Sequence, residues 1–494
     1  MLSSEGLLEW KALLHYKGEA SVIGAKSPFF IAPNGYADPF AELNATIGAL
    51  KNDPNAQCTY PARLDLLLKQ NAIGLDDLPI ATCGDYQEYL QKVPFDRVYL
   101  VFTAEDHTSP ASIMGHTIVK IAGEDQDGVT REHSFAFMAL MSQSGNLARY
   151  INAVFSGTEG GYVLSPYQET IQTYIYGEAR SLWEFELVLS SGAKERLRKH
   201  LWELKQTPIS YQFITHNCNT AMEAILNAAD PRFADNERRL FATPVEYLQM
   251  LEARGAIRSV SVRPSAIDKA YFAQGKTFYP LNVPSASRFS VQIYEGGFKL
   301  SAMPTYRDIR SVSNASAVEF ENKLIEVTAR YENDKARLEK LDLIAMKTIA
   351  DYSAAGLSKR FRLGIDESDA DRLSPVLEWG RGAGVSPIEG ATLYALGTIG
   401  YAQGKRANPY ALIEAGAIAR LGDWAKLSID YTRFFDADDR YRGFKAESNA
   451  YIAYAVSRDC EVNLAYSRRF EQTDRGNRDR KSRDRFMVGA SVYF

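Results

Sequence analysis

From about residue 285 the chain alternates. In the closing segment RFMVGASVYF, Phe486, Val488, Ala490, Val492 and Phe494 fall on one face, and Met487, Gly489, Ser491 and Tyr493 on the other. EVNLAYSRRF sets Val462, Leu464 and Tyr466 against Glu461, Asn463, Ala465 and Ser467; KLSIDYTRF sets Leu427, Ile429 and Tyr431 against Lys426, Ser428, Asp430 and Thr432. A period of two is that of a strand with two unlike faces. Similar runs recur near 290–302, 318–331, 337–348, 359–366, 374–382, 390–402, 408–420 and 445–457. This predicts an antiparallel transmembrane β-barrel of about 10–12 strands over 285–494, each strand near the ~9–11 residues that cross a bilayer.

Connector lengths support that reading over a soluble β-sandwich, which also alternates. Going back from the C-terminus, the connectors run long and charged (Glu471–Asp484), short (Arg458–Asp459), long (Asp436–Ala446) and short (Gly422–Ala425). Outer-membrane barrels have short periplasmic turns and longer outer loops, which puts Phe494 on the periplasmic side. The terminal aromatic resembles the C-terminal signal of bacterial outer-membrane proteins. With an even strand count the chain also enters the barrel from the periplasm, so residues 1–280 are expected there. VEFENKLIEVTARYENDKARLEKLDLIAMKTI has the composition of a long helix, but Ile325, Val327, Ala329 and Tyr331 alternate with charges; we read two strands joined by a turn at ENDK.

Residues 1 to about 280 are mixed. We expect a helical region over 1–95 and an α+β domain over 96–280, its strands being RVYLVFTA, GHTIVKIAG, HSFAFMAL and LWEFELVL. A net charge of −4 gives no reason to expect nucleic acid. No run of 18 apolar residues is present, so a membrane helix is not expected. The start, MLSSEGLLEWKALLHYKG, lacks the basic and apolar regions of a signal peptide and reads as an amphipathic helix; on this reading an export signal has been removed. Of the four cysteines, Cys58 and Cys83 flank one helical segment and are either bridged or two separate buried thiols.

The segment SYQFITHNCNTAMEAIL puts Cys218 where a helix begins. Asn217, Asn219 and Thr220 are cap-forming types and AMEAILNAA is helical. A thiol in the first helical turn meets the positive end of the macrodipole and unpaired N–H groups, both of which favour thiolate. Those N–H groups, at Asn217 and Asn219, would also hold an oxyanion. The plainer reading is a small buried hydrophobe.

A base separates the two readings. The chain has six histidines. His116 opens a strand after the small-residue turn SPASIMG, and His133 begins the next. With GEDQDG as the hairpin turn, residues 116 and 135 lie opposite, and His133 shares a face with His116 one diagonal step away, placed to orient it. Ser134 then points away. His216 supports the local turn, His107 lies in a loop, and His15 and His200 read as surface or packing residues. A zinc site of two histidines and a cysteine would lack the usual spacings.

The order strand-histidine, next-strand polar residue, helix-N-terminal cysteine resembles the circularly permuted papain-like thiol enzymes of the NlpC/P60 and lecithin:retinol acyltransferase type. More closely, ASIMGHTIVKI, ARSLWEFELVL and YQFITHNCNTAMEAIL resemble the N-terminal periplasmic domain of the bacterial lipoprotein N-acyltransferase family Lnb. FFIAPNGYADPFAELNATIGAL and CTYPARLDLL resemble segments that precede this domain in its outer-membrane relatives. The likeness covers roughly residues 25–255 and implies a nucleophile at Cys218 and a base at His116; His133 has no named counterpart. The Lnb type continues into membrane helices, whereas a barrel is expected here.

Together these features predict a cofactor-free thiol acyltransferase or hydrolase facing the periplasm. Its expected partners are membrane lipids or lipoproteins, with barrel assembly machinery to insert the barrel. The rivals are a peptidoglycan or protein amidohydrolase of the same fold, and a noncatalytic periplasmic module.

Overall fold

The computed structural model describes residues 2–24, 27–105, 113–139, 158–205, 207–212, 216–236, 243–312, 316–351, 357–368, 372–403, 407–436, 444–471 and 482–494. Two compact units result: Met1–Glu105 with Met114–Ser265, and Asp106–Ile113 with Ala266–Phe494.

The first unit opens with helices α1 (Ser4–Leu13), α2 (Pro39–Asn52), α3 (Pro54–Thr59), α4 (Pro61–Lys69) and α5 (Gly84–Lys92). Asp38 and Asp53 cap α2 and α3 in front of first-turn prolines, the chemistry expected of a helix start. Helix α4 has no cap of its own. Its Ala62 and Arg63 N–H groups donate instead to Glu203 Oε1, at 2.7 and 3.0 Å, on helix α7 (Ser191–Leu204). Arg63 is wholly buried between Glu42 and Glu203, with Nη1 2.6 Å from Glu42 Oε1, Nη2 2.8 Å from the Phe29 carbonyl, and the Phe29 and Tyr60 rings 4.2 and 4.5 Å away. Cys58 and Cys83 are bridged, which decides the question the sequence left open.

The same unit holds a seven-stranded antiparallel sheet: β1 (Arg97–Thr103), β2 (His116–Glu124), β3 (Thr130–Ala139), β4 (Thr158–Pro166), β5 (Leu182–Leu187), β6 (Pro208–Tyr211) and β7 (Ile257–Arg263). The spatial order is β6-β4-β3-β2-β1-β5-β7. Helix α6 (Tyr167–Ile171), continued by a π-helical turn Gln172–Gly177, joins a core of Tyr99, Val101, Ile118, Ala122, Ala136 and Leu182. Helix α8 (Cys218–Ala229) packs on β2 and β3. Helix α9 (Pro244–Ala253) follows. A helix that the sequence suggests over 146–155, and His107, lie outside the described residues.

In the second unit, after helix α10 (Ala266–Ala273), come β8 (Arg288–Tyr294) and β9, which runs Gly297–Met303 and resumes as Thr305–Arg307. Both pieces of β9 pair with β10 (Glu319–Glu332) in one register, Ala302 opposite Val327 and Thr305 opposite Leu324. The interruption falls at Pro304, which has no N–H to give a ladder. There follow β11 (Lys335–Ile349), β12 (Ser358–Ser368), β13 (Arg372–Ile388), β14 (Ala391–Gln403), β15 (Ala407–Leu421), β16 (Ala425–Asp436), β17 (Phe444–Ser457), β18 (Cys460–Glu471) and β19 (Ser482–Tyr493). Strand β19 pairs back onto β8, Tyr493 opposite Arg288, and closes a ring of twelve antiparallel strands. Twelve is even, so the ring is entered and left at the same rim. The turn between β10 and β11 is Asn333–Asp334, both at positive φ, as a two-residue hairpin requires; ENDK is the turn the alternation predicted.

The ring is polar inside and apolar outside. Ile399, Ile413, Leu464, Phe486 and Val488 are exposed, while Asp342 and Glu378 are fully buried. Inward charges pair with one another: Arg360 with Glu378 and Glu414, Arg362 with Asp342, Lys323 with Asp308 and Glu326. A soluble sandwich would hide the apolar face, so this inversion rules it out. After β9 the chain turns into the lumen: Arg310 meets Asp430 at 3.1 Å, Ser311 donates to Glu461 at 3.0 Å, and Ile309 packs with Ile349, Tyr394, Leu396 and Ile418. In detergent gels the unboiled protein should migrate faster than the boiled protein. Identical mobility with and without boiling would contradict a membrane barrel.

Candidate functional site

Cys218 is the first residue of α8 because Asn217 ends the preceding chain as a cap. The Asn217 side chain accepts the N–H groups of Asn219 and Thr220 at 3.0 and 3.1 Å, and its own N–H donates to Thr220 Oγ1 at 3.0 Å. A paired backbone bridge between Gln212 and His216, 2.9 Å in each direction, ties off the loop just before the cap. Asn217 thus builds the helix start, and both donors that the sequence offered to an oxyanion are already taken: the Asn219 N–H by the Asn217 carboxamide oxygen and the Asn217 N–H by Thr220 Oγ1.

The thiol is 6% exposed. Burial alone would push it up, but the charge of His116, a hydrogen bond with the His116 side chain and the backbone N–H of Thr117 bring it down to about 7. These two side chains lie 102 positions apart in sequence and are joined because α8 packs on the strand that His116 opens.

Gly115 sets the entry of that strand. It has φ +81°, and a Cβ there would press on the Phe102 ring and sit 2.8 Å from the Thr103 carbonyl oxygen. Gly115→Ala should therefore displace His116 and slow alkylation of Cys218 at pH 7 about tenfold, as loss of imidazole assistance requires. An unchanged rate would show that the entry tolerates a side chain.

His133 is not brought to the site. Residues 118 and 136 are opposite, as are 121 and 133, so the partner of His116 is Met138, across from it by the same register. His133 lies five residues further along and on the other face. The hairpin loop runs from Asp125 to Val129, and the three-residue difference from the expected register, being odd, reverses every side chain. Ser134, expected to point away, is the one that shares the face of His116.

Of the two readings the sequence allowed for His15 and His200, surface or packing, packing holds. Both are buried, with their Nε2 atoms 2.8 Å apart. Burial, then the charges of His200, His216 and Arg63, hold His15 well below its usual value; burial and Lys17 lower His216 to about 4. The unfolded chain takes up protons at His15 and His216 near pH 6.5 while the folded unit refuses them. Stability is thus intact above about pH 6.5 and declines as pH falls from there toward 4, by roughly 3 kcal/mol for His216 alone. Melting curves between pH 7.5 and 4.5 should show this, and His216→Gln should flatten the slope.

Sequence reasoning missed Tyr174, whose ring stacks on His116 with centroids 6.1 Å apart and planes 30° apart. The apolar spacing of Tyr167, Ile171 and Tyr174 signalled a core face and nothing more.

Residues 85–254 match the family model described as the Lnb N-terminal periplasmic domain. Residues 6–70 and 296–484 match two models each described as a domain of unknown function (DUF7843 and DUF7840). No curated protein matches. Among solved structures the chain is similar to the NanC porin (9% identity, 42% of this chain and 100% of that chain, TM-score 0.28) and to the KdgM porin in complex with disordered oligogalacturonate (6%, 42% and 98%, 0.28). It is also similar to the Acinetobacter baumannii outer membrane protein Omp33 (7%, 42% and 96%, 0.23). The chain carries an Lnb-type N-terminal periplasmic domain and a twelve-strand barrel of the outer-membrane type. It is an outer-membrane protein with its N-terminal domain in the periplasm.

Proposed function

We propose that this protein is a cysteine-dependent acyltransferase or hydrolase that works through an acyl-thioester on Cys218. The observation that carries the reading is the lowered thiol of Cys218 at a helix start, in hydrogen-bonding reach of His116. In this scheme His116 takes the thiol proton and the sulfur attacks an ester or amide carbonyl carbon. The tetrahedral oxyanion is met by the helix start, where the Cys218 N–H is the first donor the Asn217 cap does not take. The imidazolium then protonates the departing oxygen or nitrogen, leaving a thioester. An incoming amine or water loses its proton to His116, attacks the thioester, and releases the thiolate.

The arrangement of His116 on a strand and Cys218 on a helix packed against it supports a permuted papain-like, NlpC/P60-type core. Fusion to a barrel favours a lipid or lipoprotein substrate, because it keeps the site beside the bilayer. A peptidoglycan or protein amide is the second reading, since this kind of core serves both uses. Mass spectrometry of the intact protein after incubation with native envelope extract tests the proposal: a mass gain located on Cys218 identifies the acyl group. If no adduct forms on parent or slow-turnover variants, and Cys218 reacts with iodoacetamide no faster than an ordinary thiol, the site is a noncatalytic module.

A further inference from the structure

The pair of Cys218 and His116 leaves one imidazole nitrogen unexplained. His116 Nε2 is buried and has no hydrogen-bond partner among the described residues. In thiol–imidazole pairs a third group ordinarily fixes the ring by bonding that second nitrogen. Here something else must hold the imidazole plane, and an aromatic stack is in place.

Tyr174 lies against His116, and the guanidinium carbon of Arg180 sits 5.2 Å from the centre of the Tyr174 ring. Arg180 is itself tied down. Its backbone N–H donates to the Tyr174 carbonyl at 2.8 Å, its Nε to the Ala104 carbonyl at 2.7 Å, and its Nη2 to the Thr103 carbonyl at 3.4 Å. Thr103 is the residue directly across the ladder from His116. The links therefore form a closed circuit: His116 to Thr103 through the sheet, Thr103 to Arg180, Arg180 to Tyr174, and Tyr174 back to His116. The backbone spends strain on this geometry. Glu178 N–H reaches the Thr173 carbonyl in a π turn, and Ala179 is held at φ +55°. A π turn and a non-glycine residue in the left-handed region are both features that collect at functional sites.

We propose that Tyr174, braced by Arg180, is a positioning residue that sets the plane of His116 against Cys218 by stacking. The proposal rests on the thiol–imidazole reading above. A stack fixes the ring plane and leaves the tautomer free, so both nitrogens stay available as the proton moves.

The test is the pH dependence of iodoacetamide alkylation at Cys218 in the full chain in detergent, followed by peptide mass spectrometry with the other free thiol, Cys460, as internal reference. The parent should show a midpoint near 7. Tyr174→Phe keeps the flat ring and should retain that midpoint. Tyr174→Met fills the space without a plane, and Tyr174→Leu removes it; each should move the midpoint up by about one unit, a roughly fivefold slower reaction at pH 7. An unchanged midpoint in both Met and Leu variants, with His116→Ala still shifted, would overturn the proposal and leave the pair intact. A shift in Tyr174→Phe equal to that in Tyr174→Met would overturn it too, since the hydroxyl and not the plane would then matter. If His116→Ala leaves the profile unchanged, the thiol–imidazole reading itself fails.

Discussion

Cys218→Ala and Cys218→Ser should each lower turnover of the envelope substrate by on the order of 10⁴-fold or more, with stability within about 1 kcal/mol of the parent. The sulfur occupies a helix start that Asn217 caps without its help, so removing or replacing one atom leaves the α8 packing in place. Serine keeps the shape but not the chemistry: a hydroxyl ionises far above neutrality and is a weaker nucleophile, whereas the thiol here is poised near neutrality. The measurement is acyl release or transfer by mass spectrometry beside a thermal melt. Full activity in Cys218→Ser would end the case for thiol catalysis.

The second large effect concerns stability. Arg63→Ala should destabilise the first unit by about 3–5 kcal/mol, because it strands Glu42 and Glu203 in a dry interior without their shared cation. The damage spreads, since Glu203 also receives the first N–H groups of α4 and Glu42 receives those of Ile31 and Ala32 at 3.0 and 2.8 Å. Denaturant titration followed by fluorescence of the buried Trp10 would register the change. Arg63→Lys should recover only part of it, as an ammonium cannot span both carboxylates and the Phe29 carbonyl. A midpoint for Arg63→Ala equal to the parent's would show that the cluster contributes nothing.

How far the sequence could be read depended on whether a feature was periodic or a matter of pairing. Alternation is local, so the barrel strands and the Asn333–Asp334 turn were legible from the chain. The closing contact of Arg288 with Tyr493 was not, but it follows once every strand must hide its edge from lipid. Cys218 carried its own cue in the flanking asparagines. Register carried none: the loop between β2 and β3 holds Asp125–Val129, and a shift by an odd number sent His133 to the wrong face. Long-range partnerships were equally silent. Nothing near His15 announces His200, 185 positions away, and nothing near Tyr174 announces a π turn that carries Arg180 back over its ring.

The bridge between Cys58 and Cys83 bears on the order in which the chain matures. In the periplasm thiols are driven to pair, and the free Cys218 is open to the wrong partner there until it is buried. The two bridged cysteines are 25 positions apart and both precede Cys218. A chain exported from its N-terminus therefore delivers the correct partners first, and they can be spent on each other before the third thiol arrives. Vectorial export would then act as a proofreader of disulfide choice, and periplasmic isomerases would be least needed for a chain that crosses in this direction.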